Sequence, residues 1–363
     1  ALSLRGYAVD HPVMRRGLQG FEGAWAVQDG ETFNPQACLS PVWDTALAAI
    51  ALLDSGLAAD HPALVQAGRW LLREQVLTGG DWQVKAKGVE PGGWSFEFEN
   101  DVYPDTDDTA EVLIALSRID LPETPRKQRA IETGMHWLLG MQSSDGGWGA
   151  FDKDNTRALV NEIPFCDFGE VIDPPSADVT AHVLEALSLL GEGRSDAVRR
   201  GLRYLRREQR PDGSWFGRWG VNHIYGTGGV LPAMQAAGLD MSRPRVRRAV
   251  RWLVDRQNED GGWGEGCASY DDPSQLVRAP STASQTAWGL LGLLSADGAA
   301  GEALDTGAVA RGVRYLVESQ EEDGQWEEPY FTGTGFPGDF YIKYHLYRNY
   351  FPLMALGRFR RGD

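Results

Sequence analysis

Cysteine is nearly missing from this chain. Cys38, Cys166 and Cys267 are the only three among 363 residues, and none stands in a CxxC spacing. That count excludes a disulfide framework and a zinc site of ordinary ligand spacing, and it points to reduced thiols in a cytoplasmic setting. Long apolar runs are missing too. No segment reaches the roughly 18 uninterrupted apolar residues that a spanning helix needs, and no signal peptide is visible. Positive charge is scarce: 35 Lys and Arg against 51 Asp and Glu leave a net charge of −16. A polyphosphate would be repelled, which excludes nucleic acid as a partner. Anionic lipid would gain nothing either, so any membrane contact has to come from apolar surface.

What the chain has in quantity is tryptophan and repetition. Thirteen Trp stand beside 13 Phe and 11 Tyr, and several of the Trp recur in one pattern. It reads aromatic-Leu, then Gln, three residues, Gly, one residue, Trp. Copies are Trp137-Leu138…Gln142…Gly146-x-Trp148, Tyr204-Leu205…Gln209…Gly213-x-Trp215, Trp252-Leu253…Gln257…Gly261-x-Trp263 and Tyr315-Leu316…Gln320…Gly324-x-Trp326. A looser fifth is Trp70-Leu71…Gln75…Gly79…Trp82. Each closes a helical pattern on turn residues. The Gln is expected to bond orphan groups at neighbouring helix ends while the Trp packs over it, so that the motif staples successive hairpins.

Between these units runs a second, alanine-rich helix. It starts at Trp43-Asp44-Thr45-Ala46, Asp107-Asp108-Thr109-Ala110, Asp178-Val179-Thr180-Ala181, Tyr225-Gly226-Thr227 and Ser284-Gln285-Thr286-Ala287, with a sixth from Phe340 to Phe359. Small residues suit an inner ring and the bulkier Arg-bearing helices an outer one. The expected fold is all-α, an α/α toroid of the (α/α)6 barrel type, with the inner N-termini gathered at one end. Residues 37–363 are read as this barrel. Residues 1–36 are read as the last hairpin of a preceding α-barrel, because Ala1-Leu2…Gly6…Asp10-His11-Pro12 repeats Ala51-Leu52…Gly56…Asp60-His61-Pro62. On that reading the chain is a C-terminal piece of a longer protein.

Chemistry concentrates at one inner start, Asp105-Thr106-Asp107-Asp108-Thr109-Ala110-Glu111. A helix can use one Asp as a cap and tolerates acids in its first turn. It has no need of three. Carboxylates this close cannot all ionise, so one is expected to keep its proton at neutral pH and act as an acid. The loops between hairpins carry an aromatic load: Phe96, Phe151, Trp219 and the stretch 330–347 with Phe336, Phe340, Tyr344 and Tyr347. Ring faces attract cations by roughly 0.5–2 kcal/mol each when dry. An acid beside such rings suits protonation of an apolar substrate followed by shelter of a carbocation. The acid is strong enough only if neighbours stabilise the carboxylate left behind. His182, one turn beyond Asp178, and Tyr225 are the candidate supports.

The acid turn, the four Gln-x3-Gly-x-Trp repeats, Ile163-Pro164-Phe165-Cys166-Asp167-Phe168 and the Gly333-Thr334-Gly335-Phe336-Pro337-Gly338-Asp339-Phe340-Tyr341 segment together resemble the squalene–hopene cyclases. The likeness runs from Ser40-Pro41-Val42-Trp43 to Phe359. Class II diterpene cyclases share the acid motif alone, and oxidosqualene cyclases carry one Asp followed by Cys. The resemblance implies that Asp107 protonates the terminal alkene of squalene, flanked by Asp105 and Asp108. It implies that His182, oriented by Asp178, and Tyr225 through water raise that acidity. Trp43, Phe96, Phe151, Trp219, Phe336, Phe340, Tyr344 and Tyr347 would line the cavity, and Phe165, Cys166 and Phe168 the channel and wall. The implied product is hopene or hopanol, with no metal and no cofactor. A missing N-terminal α-barrel would complete the cavity. Peripheral contact with the cytoplasmic face of the membrane and a homodimer belong to the same picture. One departure is Phe151, where the family usually has Tyr: the ring face stays and a hydroxyl is lost.

Rival readings are a cyclase of another polyprenoid, a carbohydrate-active α/α barrel, a zinc prenyltransferase subunit and a non-catalytic helical scaffold. The carbohydrate enzyme needs an acid and base across a polar cleft, whereas these acids are adjacent and the loops Phe-rich. The prenyltransferase needs zinc ligands that the sequence does not space. The scaffold accounts for the repeats but not for the acid triplet.

Overall fold

The computed structural model describes residues 2–24, 26–29, 32–35, 38–98, 100–162, 171–272, 278–296 and 306–362. Helix α1 (Pro12–Ala24) and the hairpin β1–β2 (Ala26–Asp29 with Thr32–Pro35) come first. The barrel follows. Its inner helices are α2 (Pro41–Asp54), α4 (Thr106–Arg118), α6 (Ala177–Leu187), α8 (His223–Ala236), α10 (Ala283–Ser295) and α12 (Tyr347–Arg361). Each packs on the next, and α12 packs back on α2, so the ring closes. Outer helices α3 (Pro62–Arg73), α5 (Thr124–Met141), α7 (Asp196–Glu208), α9 (Pro244–Arg256) and α11 (Thr306–Glu318) lie against it. This is the α/α toroid that the alternating patterns call for.

Small residues let the inner backbones approach. Ala46, Ala110, Ala115, Ala181, Ala186, Ala233 and Ala287 are wholly buried. At Gly228 any Cβ would stand 2.4 Å from the Trp288 carbonyl oxygen of the neighbouring helix, so only glycine fits. Outer helices are one-sided instead: α7 buries Val198, Gly201, Tyr204 and Leu205 and turns its arginines outward. The internal likeness between residues 1–12 and 51–62 has a structural counterpart. Both α1 and α3 start at the proline, and His11 and His61 each accept the backbone N–H two residues on.

The repeat motif is a staple, and its atoms are specific. Gln142, Gln209 and Gln257 each donate from Nε2 to their own turn glycine (Gly146, Gly213, Gly261) and to the first turn of the next outer helix (Ala197, Arg245, Ala308), at 2.7–3.0 Å. Those glycines hold φ of 99°, 105° and 90°, left-handed values that favour glycine. Trp148, Trp215, Trp263 and Trp326 each donate Nε1–H to the Leu carbonyl ten residues earlier, capping the outer helix. The fifth copy is corrected. Its tryptophan is Trp94, not Trp82: Gln75 bonds Gly92 and Ala130, and Trp94 Nε1 bonds Leu71 O at 2.7 Å. Residues 76–91 are an insertion, which hid the Gly92-Gly93-Trp94 signature. We expect Gln257→Ala to cost about 2–3 kcal/mol, because it removes the bonds to the Gly261 and Ala308 carbonyls and the two bonds from the Arg311 guanidinium to its Oε1. Exposed Gln320, whose side chain makes one bond among the described residues, to Gly324, should cost under about 1 kcal/mol. Urea unfolding of the two variants measures both.

A second correction concerns the last inner helix. It begins at Tyr347 rather than Phe340, because Phe340–Ile342 is strand β8, paired antiparallel with β7 (Gly333–Phe336). Asp339 closes this hairpin through Gly338, at φ 91°. Three further short hairpins or bridges sit at the N-terminal ends of the inner helices. They are β3–β4 (Trp94–Ser95 with Pro104–Asp105), β5–β6 (Trp263–Glu265 with Arg278–Thr282) and the Trp148–Ser176 bridge. They turn the aromatic loops into ordered walls.

Candidate active site

Strand β4 delivers Asp105 to the N-cap of α4, where its Oδ1 accepts the N–H groups of Asp107 (2.6 Å) and Asp108 (3.3 Å). All three acids are buried. Burial, and then the adjoining carboxylates, push Asp105 and Asp108 well above the ordinary range. Asp107 points to the neighbouring inner helix α6, where His182 Nδ1 lies 2.6 Å from its Oδ1. Burial lowers the His182 pKa, but the Asp107 charge and hydrogen bond, with Glu111 and Asp178 behind, carry it up to about 10. The imidazole is therefore protonated at neutral pH and donates to Asp107. This is the one carboxyl of the three with a cationic partner at bonding distance among the described residues.

Above the acids opens a cavity of about 240 Å³. Asp105, Asp107 and Asp108 form its floor, and Trp43, Phe96, Phe151, Trp219, Phe336, Phe340, Tyr344 and Tyr347 stand around it. The rings come from five separate segments, and edge-to-face or stacked pairs fix them: Phe96–Tyr344, Phe151–Trp219 and Tyr344–Tyr347, with centroids 6.3, 6.0 and 4.5 Å apart. Trp43 Nε1 donates to Tyr347 Oη at 3.1 Å. Phe165, Cys166 and Phe168 lie outside the described residues.

One expected support stands differently from its reading. Asp178 makes no hydrogen bond to His182 among the described contacts; its Oδ2 accepts the backbone N–H groups of Arg218 (2.7 Å) and Trp219 (2.8 Å). It grips the loop that carries a cavity ring, and it acts on His182 only through charge. Tyr225 makes no direct bond to the acids. Its ring meets His182 edge-on at 5.9 Å, and its buried hydroxyl has no partner among the described residues, which leaves it open to the expected water. Ser284, placed with this group by its helix position, bonds Glu328 instead.

Sequence reasoning missed Glu111, Asp44, Ile342 and the placement of Cys38. Glu111 follows Asp107 by one helical turn, a spacing that could have flagged it. Burial raises it to about 7, and it lines a separate 50 Å³ pocket with His182, Tyr225, Glu185 and Arg358. Asp44, pushed up to about 6 by burial, accepts from Ser40 and Tyr350 and adds negative charge near Asp108. Cys38 and Ile342 complete the cavity wall; burial, then Glu97, pushes the Cys38 thiol up to about 11.

The closed helix ring is a fold shared with solved type II terpene cyclases. MstE from Scytonema, one of these, superposes with a TM-score of 0.64 over 93% of this chain and 92% of its own, at 19% identity. Residues 39–361 match the squalene–hopene cyclase C-terminal domain, and the chain belongs to that family. The squalene–hopene cyclase of Alicyclobacillus acidocaldarius is 53% identical over 97% of this chain and 55% of its own length. That of Bradyrhizobium diazoefficiens is 48% identical over 96% and 52%. The chain thus spans about half the length of the curated relatives it matches.

Proposed function

We propose that this chain is the acid-bearing barrel of a squalene–hopene cyclase. In the form that carries one proton more than the resting Asp107–His182 ion pair, Asp107 gives that proton to the terminal alkene of squalene. The resulting tertiary cation is attacked by successive double bonds, and the final cation loses a proton to give hopene or takes up water to give hopanol. The observation that carries this reading is the Asp107–His182 contact at 2.6 Å, opening directly into an aromatic cavity. A carboxyl beside an imidazolium gives up its proton more readily because the carboxylate it becomes is already paired. Asp105 and Asp108, both pushed toward their protonated forms, keep further negative charge from accumulating beside it. Exclusion of water by the rings strengthens each of these interactions.

The cavity also supports the proposed domain arrangement. Its 240 Å³ falls below the roughly 300–1,000 Å³ of ordinary small-molecule sites, and a triterpene precursor is larger than most. We therefore propose that residues 37–363 are the catalytic barrel and that residues 1–36 lead in from an N-terminal barrel that completes the wall. Among the described residues no helix is long and apolar enough to cross a membrane. For so apolar a substrate we propose a peripheral site on the cytoplasmic face of the membrane.

The test is incubation of the full-length enzyme, this chain together with its N-terminal barrel, with squalene and analysis of the products. Pentacyclic hopene and hopanol are expected. Turnover of a shorter polyprenoid in their place would redirect the substrate assignment, and no turnover of any polyene would sink the cyclase reading.

A further inference from the structure

We propose that Asp173 is a positioning residue for the cyclisation, holding the Phe151 ring at the cation path and tying it to the acid turn. This deepens the cyclase reading and rests on it. Asp173 is not among the described residues that line the cavity. Its carboxylate accepts three consecutive backbone N–H groups: Ala150 at 3.3 Å on Oδ1, and Phe151 at 2.6 Å and Asp152 at 2.8 Å on Oδ2. Residues 150–152 belong to no helix or strand, so these donors have no ladder partner. A carboxylate, with two acceptor oxygens, can take all three.

The gripped turn reaches in two directions. Toward the acids, Thr106 donates its N–H to Ala150 O (2.7 Å) and its hydroxyl to Gly149 O (2.6 Å), one residue from the Asp105 cap. Toward the substrate, the Phe151 ring meets Trp219 edge-on at 6.0 Å and 86°. The turn continues into Asp154 at φ 56°, a conformation that side-chain-bearing residues seldom adopt. Such a backbone holds its shape only when its surroundings over-determine it. Asp173 is one of those determinants, and it sets the ring where the cation passes. Cation–π attraction depends on that placement.

Product ratio in the full-length enzyme tests the inference, read as partially cyclised against pentacyclic products from squalene. Asp173→Ala is expected to raise the partially cyclised share roughly tenfold, the size of one lost cation–π contact. It should give the same premature products as Phe151→Leu and add little in the double variant. Asp173→Asn keeps one acceptor oxygen and should shift the ratio less, in the same direction. It also decides the matter should the alanine variant not fold. Gln257→Ala, destabilised elsewhere in the ring, should leave the ratio unchanged. Wild-type ratios in both Asp173 variants, or premature products unlike those of Phe151→Leu, would overturn the proposal. A wild-type enzyme that cyclises no squalene would remove the cyclase reading, and this one with it.

Discussion

Asp107→Asn in the full-length enzyme is expected to lower squalene turnover by about 10²–10⁴-fold, the usual loss when a positioned general acid is removed. The amide has nearly the shape of the carboxyl but no acidic proton to give. Asp105 is a poor substitute, because burial and then the Asp107 charge push it well above the ordinary range and make it a weaker acid. Asp108 lines the same cavity, but no imidazolium lies at bonding distance among its described contacts, so its carboxylate would be left unstabilised. The same substitution should change His182. Burial lowers its pKa and Asp107 is the largest influence raising it to about 10. Without that charge the value should fall, which NMR titration of the ring can follow. A variant that keeps wild-type turnover would remove Asp107 as the donor.

His182→Ala is expected to destabilise the fold by about 3–5 kcal/mol at pH 7, the range for stripping a buried charge of its partner. Asp107 is buried and the imidazole beside it is only 12% exposed, so solvent replaces the lost partner poorly. Adding Asp107→Asn to His182→Ala should restore much of the loss, since the stranded charge is then gone. The pH dependence has a definite sign. His182 in the folded chain, at about 10, lies above its ordinary 6.5, so the folded state binds the proton more tightly. Its contribution is fully present below about pH 6.5 and fades as pH rises through about 10. The stability gap between wild type and His182→Ala should therefore narrow over that window. Denaturant unfolding at several pH values measures this, and a gap independent of pH would contradict the ion pair.

The limits of sequence reading show at particular residues. Gln142, Gln209 and Gln257 were legible because each bonds its own turn glycine four residues on, and four-residue spacings survive in the sequence. The copy at Gln75 was misread because its partner glycine, Gly92, lies 17 residues away across an insertion. The last inner helix was started seven residues early, since Phe340 and Tyr341 pair in a hairpin whose partner strand no periodicity announces. Asp178 illustrates a different limit. The family resemblance implies that it orients His182, but its carboxylate turns to the N–H groups of residues 218 and 219, some 40 positions away.

The sequence by itself determined the ring and the location of the acid. Alternating small-residue and amphipathic helices can bury their faces in few ways, and three carboxylates at one helix start are anomalous wherever that helix sits. Tertiary structure alone decided which carboxyl meets the imidazole and what surrounds it. Asp107 and His182 are 75 residues apart and meet at 2.6 Å because α4 and α6 are neighbours in the closed ring. Trp43 and Tyr347, 304 residues apart, share a hydrogen bond because α12 closes on α2. Local spacing encodes helix ends and turns, whereas the meeting of distant side chains is set by how the whole ring packs. Chemistry that needs a proton donor, its counter-charge and a dry aromatic wall within a few ångströms of one another depends on that packing.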